Sequence, residues 1–215
     1  MEIDLHIHTG RYSGCSNIDP VMAITRAKEV GLDGIALTEH GIRWPDEEIH
    51  KLLKQANIPG FIVLPGQEIA CYSAKGKFQG EFLVFGFHSS LGSNKTAEQL
   101  IEIVHNNGGI VIAAHPFKRH DTGQGYYGSG DDTPVFNLDA IEVEHPSYDG
   151  EARRRAALTA ETMGIAGIGC SDAHDLRDIG KCRSVFENEV RDIKTLCEEV
   201  RARRVRAVNL FCASR

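Results

Sequence analysis

Short apolar runs alternate from end to end of the chain with amphipathic segments whose apolar residues recur at helical spacing, as at Ile101 and Val104. The apolar runs predict buried β-strands, and the amphipathic segments predict helices. This alternation is typical of repeated βα units around a largely parallel sheet. The pattern predicts strands at residues 2–8, 33–39, 61–69, 81–87, 109–114, 139–144 and 165–170, and helices at residues 20–30, 46–57, 96–107, 150–163 and 190–204.

The number of predicted strands bounds the architecture. Seven strands are close to the eight of a closed β/α barrel, and a chain of 215 residues can form one sizeable core. We therefore expect an α/β fold with a single domain over residues 1–215. Residues 121–133 (DTGQGYYGSGDDT) have no apolar period and predict a long loop, which in a compact domain is usually functional.

Residue types that bind metal ions recur where the predicted strands end. Because the carboxyl ends of parallel strands meet on one rim of a barrel, residues that are scattered along the chain would converge there. The residues at these positions are His6, His8, Glu39, His40, Glu68, His115, His145, Asp172 and His174.

The spacing and the chemistry of these residues favour a metal centre. His6 and His8 are two positions apart, so both imidazoles leave the same face of a strand and can reach one ion. A mixture of imidazole and carboxylate without thiolates suits Zn, Mn or Fe(II) better than Ca or Mg. A glutamate such as Glu68 can bridge two ions, and ions about 3.5–4 Å apart are used to cleave phosphate esters.

Five short motifs contain most of these residues and together extend over nearly the whole chain. They are Asp4-Leu5-His6-Ile7-His8-Thr9, Leu37-Thr38-Glu39-His40, Pro65-Gly66-Gln67-Glu68, Ala114-His115-Pro116 and Gly169-Cys170-Ser171-Asp172-Ala173-His174. In this order they resemble the PHP family, the polymerase and histidinol phosphatase family of metal-dependent phosphoesterases.

The resemblance implies a fold, a cofactor and a ligand set. The implied fold is a distorted seven-stranded (β/α) barrel of the TIM-like type, and the implied cofactors are two or three divalent metal ions. By residue-wise matching, the implied ligands are His6, His8, His40, Glu68, His115, Asp172 and His174.

The chain departs from the family pattern at two positions. Family members often carry an acidic residue or histidine where this chain reads 12–16 (YSGCS), so Cys15 or a water could complete the third metal site. They also commonly carry a histidine at the start of the fourth strand, where this chain has Glu81. A carboxylate can ligate the same ion, so we expect Glu81 to be a ligand. His88 is interpreted as an ordinary loop or strand-end histidine.

Other polar residues on the expected rim are candidates for handling substrate. Arg11, Lys118 and Arg119 follow ligand motifs and could hold a phosphate, although each could equally be a solvated loop residue. His145 is a candidate proton donor to the leaving group. Strand alternation sends Glu142 and Glu144 to one side, where we expect them to support ligand histidines.

We expect the reaction to be hydrolysis of a small phosphate ester by a metal-activated hydroxide. A nucleotide, a nucleoside bisphosphate, a short oligonucleotide end, or a sugar or amino-alcohol phosphate would all fit. Trp44, Tyr126 and Tyr127 could stack on a base or ring, or could simply be surface aromatic residues. Two alternatives stay open: metal-dependent hydrolysis of an amide or lactone, and a non-catalytic metal-binding regulatory module.

Composition and charge limit the other possibilities. The formal net charge of −6 argues against an extended nucleic-acid surface, and no segment approaches the length of a membrane-spanning helix. The first residues carry acidic groups where a signal peptide would be basic, so the expected location is cytoplasmic. The six cysteines include no C-x-x-C pair, and we expect reduced, mostly buried thiols. The oligomeric state is left open.

Overall fold

The computed structural model describes residues 1–210, and this range forms a mixed α/β fold around one nine-stranded sheet. The strands are β1 (Glu2–Ile7), β2 (Gly34–Leu37), β3 (Ile62–Tyr72), β4 (Phe78–Phe85), β5 (Ile110–Ala113), β6 (Ala140–Glu144), β7 (Ala166–Gly169), β8 (Cys182–Phe186) and β9 (Val205–Asn209). The helices are α1 (Pro20–Glu29), α2 (Asp46–Ala56), α3 (Ala97–Asn106), α4 (Gly150–Met163) and α5 (Ile193–Arg201).

The sheet has the order β7-β6-β5-β4-β3-β2-β1-β8-β9. The pairs β1–β2, β2–β3, β5–β6 and β6–β7 are parallel, as expected for βα units. In contrast, β4 is antiparallel to both β3 and β5. Since only residues 73–77 join β3 to β4, the connection is a hairpin, which forces the antiparallel direction. The beginning of β4 therefore lies at the same end of the sheet as the carboxyl ends of the parallel strands.

The sheet is nearly closed into a barrel by the chain that follows β7. Ala173 forms a parallel bridge with Ile7, and the amide of His8 donates to the carbonyl oxygen of Ala173 at 3.0 Å. β8 is antiparallel to the beginning of β1, and β9 pairs with β8. Residues that follow β7 are thereby held beside residues that end β1.

The main apolar core joins alternate side chains of the strands, including Leu5, Leu64 and Leu83, with Leu196 and Val200 of α5. In β3 and β4 the same alternation continues beyond this core to Glu68 and Glu81. These two carboxylates therefore form the polar layer above the apolar one.

A glycine in the third motif permits this packing. A Cβ atom at Gly66 would lie 2.5 Å from the ring of Phe85 and 2.9 Å from the side chain of Thr38. Only glycine fits between these neighbours without displacing them. The absence of a side chain at this position is therefore what lets Phe85 and Thr38 pack this closely against β3.

Local signals at the helix ends explain why the helices begin where they do. Asp19 accepts hydrogen bonds from the amides of Val21 and Met22, with Pro20 in the first turn of α1. Thr96 and Gln99 form a reciprocal capping box at α3. These contacts satisfy amides that would otherwise lack partners at the helix ends.

The first seven strands and the first four helices lie where the sequence predicts them, within a few residues. The sequence analysis missed β8 and β9, so the sheet has nine strands rather than the seven expected. The predicted helix at 190–204 is shorter, because α5 ends at Arg201 and β9 begins at Val205. The predicted loop at 121–133 runs into a 3₁₀ helix at Gly130–Val135.

Two further features concern the expected environment of the protein. Within residues 1–210, no helix is long and apolar enough to cross a membrane. The five cysteines of this range are free thiols, of which Cys71, Cys170, Cys182 and Cys197 are buried and Cys15 is exposed. Cys212 lies outside the described residues.

Candidate metal centre

The histidines and carboxylates of the five motifs meet at one end of the sheet. His6 lies in β1 and His8 directly after it, while His115 and Asp172 follow β5 and β7. Glu81 joins them because β4 runs in the opposite direction, so that its beginning reaches the same rim. The structure thus brings together all the residues that the sequence analysis proposed as ligands: His6, His8, His40, Glu68, Glu81, His115, Asp172 and His174.

Glu68 lies at the centre of this cluster. Its Oε1 is 3.1 Å from Nε2 of His115 and 3.3 Å from Nε2 of His6. Its Oε2 is 3.0 Å from Nδ1 of His40 and 3.4 Å from Nε2 of His8. One buried carboxylate therefore faces four imidazoles from three separate segments, which is the placement required of a residue that bridges two ions.

Asp172 provides a second shared carboxylate. Its Oδ1 is 3.4 Å from Nε2 of His6 and 3.5 Å from Nε2 of His8 and Nδ1 of His174. Its Oδ2 points toward a different set of groups, with Nζ of Lys118 at 2.7 Å and Nε2 of His145 at 3.4 Å. Oδ2 also lies 3.9 Å from Nε2 of His115, so this oxygen connects the histidine cluster with the candidate substrate-handling residues.

Four overlapping groups in this cluster have ligand atoms within 4.8 Å of one another, close enough to surround an ion. The imidazole and carboxylate donors fit Zn, Mn or Fe(II). The groups are His6, His8 and Glu68; His6, His115 and Asp172; Glu68, Glu81 and His115; and His8, His40 and His174.

The pKa shifts in the cluster indicate that its buried carboxylates need positive charge beside them. Burial alone would raise the pKa of Glu68, but His6 and hydrogen bonds from His115 and His40 outweigh it and lower the pKa well below its usual value. Burial likewise opposes protonation of His6, yet Glu68, Glu142 and Asp172 raise its pKa well above the ordinary value. Protons on the imidazoles compensate the carboxylates here, and divalent cations can take over that compensation.

Glu81 lies at the edge of the cluster, and the same charges affect its ionisation. Burial, together with the neighbouring charge of Glu68, raises the pKa of the Glu81 carboxyl to about 7. Its Oε2 is 3.6 Å from Nε2 of His115. A cation between these groups would favour the ionised form of Glu81.

The backbone is strained at two positions of the cluster. His115 has φ 28° and Asp172 has φ 50°, in the region that L-residues rarely adopt. Such conformations cost on the order of 1–3 kcal/mol and occur preferentially at functional sites. At Asp172 the strained turn directs the side chain toward the cluster while Ala173 closes the sheet.

Glu142 supports the cluster, whereas Glu144 does not. Oε1 of Glu142 accepts a hydrogen bond from Nδ1 of His6 at 2.8 Å, and Oε2 accepts from the amide of His115 at 2.6 Å. Glu144 instead accepts from Nε of Arg153 at 2.8 Å. The sequence analysis wrongly paired the two carboxylates, because the pairing of β6 with β7 shifts in register between them.

The candidate substrate-handling residues divide into two pairs. Lys118 and His145 lie against Asp172. Arg11 is instead 3.8 Å from Glu48 of α2, and Arg119 is 3.8 Å from Asp149, with 58% of each arginine side chain exposed. The structure does not bring Arg11 and Arg119 to the cluster in the way that the sequence analysis expected, because neighbouring acidic residues attract both guanidinium groups.

The sequence analysis did not predict the role of Glu39, a buried residue of the second motif. Glu39 precedes His40, but its carboxylate accepts hydrogen bonds from Thr9, Ser13 and Trp44. Trp44 is therefore buried and bonded to Glu39, and it is not available for stacking on a base. The signal that could have found this role is a carboxylate directly beside a ligand histidine, since neighbouring positions of a strand face opposite sides.

Comparison with known proteins identifies the family. The model of the PHP domain matches residues 4–167, and the model of the PHP-associated segment matches residues 150–205. This chain belongs to the PHP family. An uncharacterized protein of Methanocaldococcus jannaschii is 30% identical over 127 residues, which cover 54% of this chain and 68% of that protein.

Solved structures share the fold at low sequence identity. A two-domain protein of Bacteroides vulgatus containing a predicted PHP-like metal-dependent phosphoesterase has a TM-score of 0.73 and 18% identity, with 97% of this chain covering 64% of that one. An amidohydrolase of Chromobacterium violaceum with bound sulfate has a TM-score of 0.65 and 16% identity, with coverages of 97% and 98%. Endonuclease Q in complex with a duplex that carries an abasic lesion has a TM-score of 0.63 and 17% identity, with coverages of 94% and 56%. At these identities the likeness establishes the fold alone.

Proposed function

We propose that this protein is a metal-dependent phosphoesterase that hydrolyses a small phosphate ester, and that residues 1–215 act as one domain. Family membership and the histidine and carboxylate cluster support the metal-dependent part of this proposal. The phosphate part is supported by the groups on the far side of Asp172.

The observation that carries the proposal is the meeting of Lys118 and His145 at one oxygen of Asp172. The amide of Ser147 donates to Nδ1 of His145 at 3.1 Å, so the neutral imidazole carries its proton on Nε2. That Nε2 is buried, and its contact with Oδ2 of Asp172 at 3.4 Å is too poorly aligned to be a hydrogen bond, so within residues 1–210 its hydrogen-bonding capacity is unsatisfied. A phosphate oxygen beside the metal cluster would accept from this N–H and from the ammonium of Lys118.

His145 acts in this proposal as a hydrogen-bond donor. Burial lowers the pKa of its imidazole below the ordinary value, which favours the neutral ring. A neutral ring can hold and orient an oxygen of the substrate or of the leaving group, but it gives up its remaining proton reluctantly. Proton donation to the leaving group, the role that the sequence suggested for His145, stays a prediction beside orientation and charge stabilisation.

We propose that His6, His8, Glu68 and Asp172 hold one ion and that Glu68, Glu81 and His115 hold a second. Divalent Zn, Mn or Fe ions, when bound, supply an activated water and neutralise charge on the phosphate. Lys118 then balances charge on phosphate oxygens that the ions do not reach.

A third ion would be held by His40 and His174 beside His8. No acidic residue belongs to this group of three imidazoles. Sγ of Cys15 lies 3.4 Å from Nε2 of His40, in the segment where the sequence departs from the pattern expected of the family. We propose Cys15 as the remaining ligand of this ion, with a water as the alternative.

The test is hydrolysis by a protein of known metal content. The purified chain is stripped with a chelator, reloaded separately with Zn, Mn and Fe(II), and assayed for phosphate release. The panel contains nucleotides, nucleoside bisphosphates, short single-stranded oligonucleotides, sugar and amino-alcohol phosphates, and simple aryl phosphates. We expect release of phosphate from a phosphomonoester that returns with metal and is lost again with chelator. An aryl phosphate can be a poor substrate, because remote groups of the true substrate help to orient it.

Other outcomes of this assay would replace the proposal. Cleavage of amides or lactones by the same loaded protein, without cleavage of any phosphate ester, would favour the alternative hydrolase class. A fully metallated protein that cleaves nothing in either panel would favour a non-catalytic metal-binding module. Incision within an abasic duplex would widen the substrate from a small ester to DNA.

A further inference from the structure

Glu39 is a fully buried carboxylate that belongs to none of the four ligand groups. It accepts hydrogen bonds from the amide of Thr9 at 3.1 Å and from Nε1 of Trp44 at 2.9 Å. The hydroxyl groups of Thr9 and Ser13 also donate to it. A carboxylate with this many donors is held in one orientation and is an acceptor only.

The hydroxyl group of Ser13 transmits this arrangement to His8. Ser13 donates its single hydroxyl proton in the hydrogen bond to Glu39. Its oxygen can therefore only accept a hydrogen bond from its other neighbour. That neighbour is Nδ1 of His8, at 3.3 Å from Oγ of Ser13. The proton of this hydrogen bond must therefore lie on Nδ1 of His8. The lone pair of Nε2 is then available for metal binding. Nε2 of His8 lies 3.0 Å from Nε2 of His6 and 3.4 Å from Oε2 of Glu68.

His6 is arranged in the same way by a different carboxylate. Nδ1 of His6 donates to Oε1 of Glu142 at 2.8 Å, so its Nε2 also points into the cluster. Both histidines of the first motif thus have a buried carboxylate behind the ring. For His6 the contact is direct, and for His8 it passes through a serine.

We propose that Ser13 and Glu39 are positioning residues that fix the ring orientation and the metal-binding nitrogen of His8. Outer partners of this kind fix the tautomer of a ligating histidine and make it a stronger ligand. The inference rests on the metal binding in the proposed function, and it assigns to the loop after the first motif a role that needs no metal ligand in that loop.

The experiment compares Ser13 variants with a variant at another partner of Glu39. Ser13→Ala removes the hydroxyl group that contacts His8, and Ser13→Thr retains it. Trp44→Phe removes a donor to the same carboxylate but leaves Ser13 and His8 in place, so it is the matched control for general packing around Glu39. Binding of Zn is measured by competition with a chromophoric chelator. In ¹⁵N-histidine-labelled, Zn-loaded protein, the Nδ1 proton of His8 is followed by NMR.

We expect Ser13→Ala to weaken the binding of one Zn ion by about 10- to 100-fold and to speed exchange of the His8 Nδ1 proton with water. Ser13→Thr should restore both properties, and Trp44→Phe should retain the parent affinity even if it lowers the Tm. The proposal is overturned if Ser13→Ala binds Zn like the parent, or if Trp44→Phe loses as much affinity as Ser13→Ala.

These readouts separate the inference from the proposed function. A parent protein that binds Zn with the expected dependence on Ser13 but cleaves no phosphate ester leaves the positioning role intact and removes the phosphoesterase assignment. A protein that cleaves phosphate esters but whose Zn affinity does not change in Ser13→Ala keeps the phosphoesterase assignment and loses the positioning role of Ser13. A parent protein that binds no metal removes both.

Discussion

Lys118 donates a hydrogen bond from Nζ to Oδ2 of Asp172 at 2.7 Å. Burial opposes the charge on this ammonium group, but Asp172 outweighs it and raises the pKa of Lys118. The lysine is therefore a fixed positive charge at the one oxygen of Asp172 that does not face His6 and His8. In the proposed function, this ammonium group would turn from the carboxylate to a phosphate bound beside it.

Replacing Lys118 should damage turnover more than metal binding. We expect Lys118→Met to lower kcat/KM for a phosphate ester by about 100-fold or more, since a preorganised cationic donor is lost, while the metal content does not fall. The matched control is Arg119→Met, because Arg119 is the next residue but pairs with Asp149. Steady-state kinetics and metal analysis check this. Equal losses in the two variants would contradict the assignment of Lys118.

Removing the first-motif histidines should abolish the metal centre. We expect the double variant His6→Ala, His8→Ala to lose bound metal and hydrolysis and to keep the fold, because rim residues contribute more to function than to core packing. Metal analysis, activity and circular dichroism measure these three properties. His88→Ala is the control, since His88 is exposed and belongs to none of the four ligand groups. Full activity in the double variant would refute the centre.

The role of Glu81 is tested by two replacements. Glu81→Gln removes the negative charge that attracts the cation, so we expect weaker metal retention and a strong loss of turnover. Glu81→His supplies the imidazole that the family pattern has here, and it should recover part of the activity. Glu102→Gln, at an exposed position of α3, controls for loss of charge. If both Glu81 variants behave like the parent, Glu81 is not a ligand.

The ligation of Cys15 has a spectroscopic signature. Thiolate bound to Co(II) gives an intense charge-transfer absorption in the near ultraviolet, which imidazole and carboxylate do not give. We expect this band in Co(II)-loaded parent protein and its loss in Cys15→Ser, whereas Cys197→Ser, at a buried thiol, should keep it. A Co(II)-loaded parent without the band would assign the remaining position of the third ion to water.

Metal affinity should rise with pH. Burial opposes protonation of His8, but hydrogen bonds with Asp172 and Glu68 outweigh it and raise the pKa of His8 to about 9. Below this pH the metal-free site holds protons that an ion must displace, so the apparent affinity should gain about tenfold per pH unit for each displaced proton. Chelator competition between about pH 6 and pH 9 measures the slope, after correction for the chelator. A flat profile would contradict protonation of the metal-free imidazoles.

The sequence predicted the elements that depend on local patterns. β1 to β7 are apolar runs that are buried on formation of the sheet, and their ends carry the cluster. β8 and β9 depend on distant partners, such as Glu2 opposite Val185, and Arg183 is buried in β8 only because Glu2 and backbone carbonyl groups accept from it. Such compensation cannot be read from the segment itself.

The candidate site also contains some residues whose positions follow from the sequence pattern and others whose contacts depend on distant parts of the chain. The position of the strand ends predicted seven of the eight proposed ligands, whereas Glu81, near the beginning of β4, was predicted only from the family resemblance. The sequence pattern could not tell Arg11 and Arg119 from Lys118, because a flexible side chain on a loop pairs with whichever acidic residue the fold brings near it. Nor could it tell that Glu39 faces Ser13 rather than the metals, which depends on the turn between Thr9 and Ser13.

The bridge between Ile7 and Ala173 has a consequence for the order in which the protein folds. His6 and Ser171 are in contact although they are 165 positions apart. Closing a loop of that length costs about 4–5 kcal/mol of chain entropy before any contact compensates for it. During synthesis the first strand leaves the ribosome long before its last neighbour exists. If the proposed ligands hold metal, His6 and His8 lack Asp172 as a partner until this last segment has been made, so tight retention of metal would require a chain whose sheet is nearly closed.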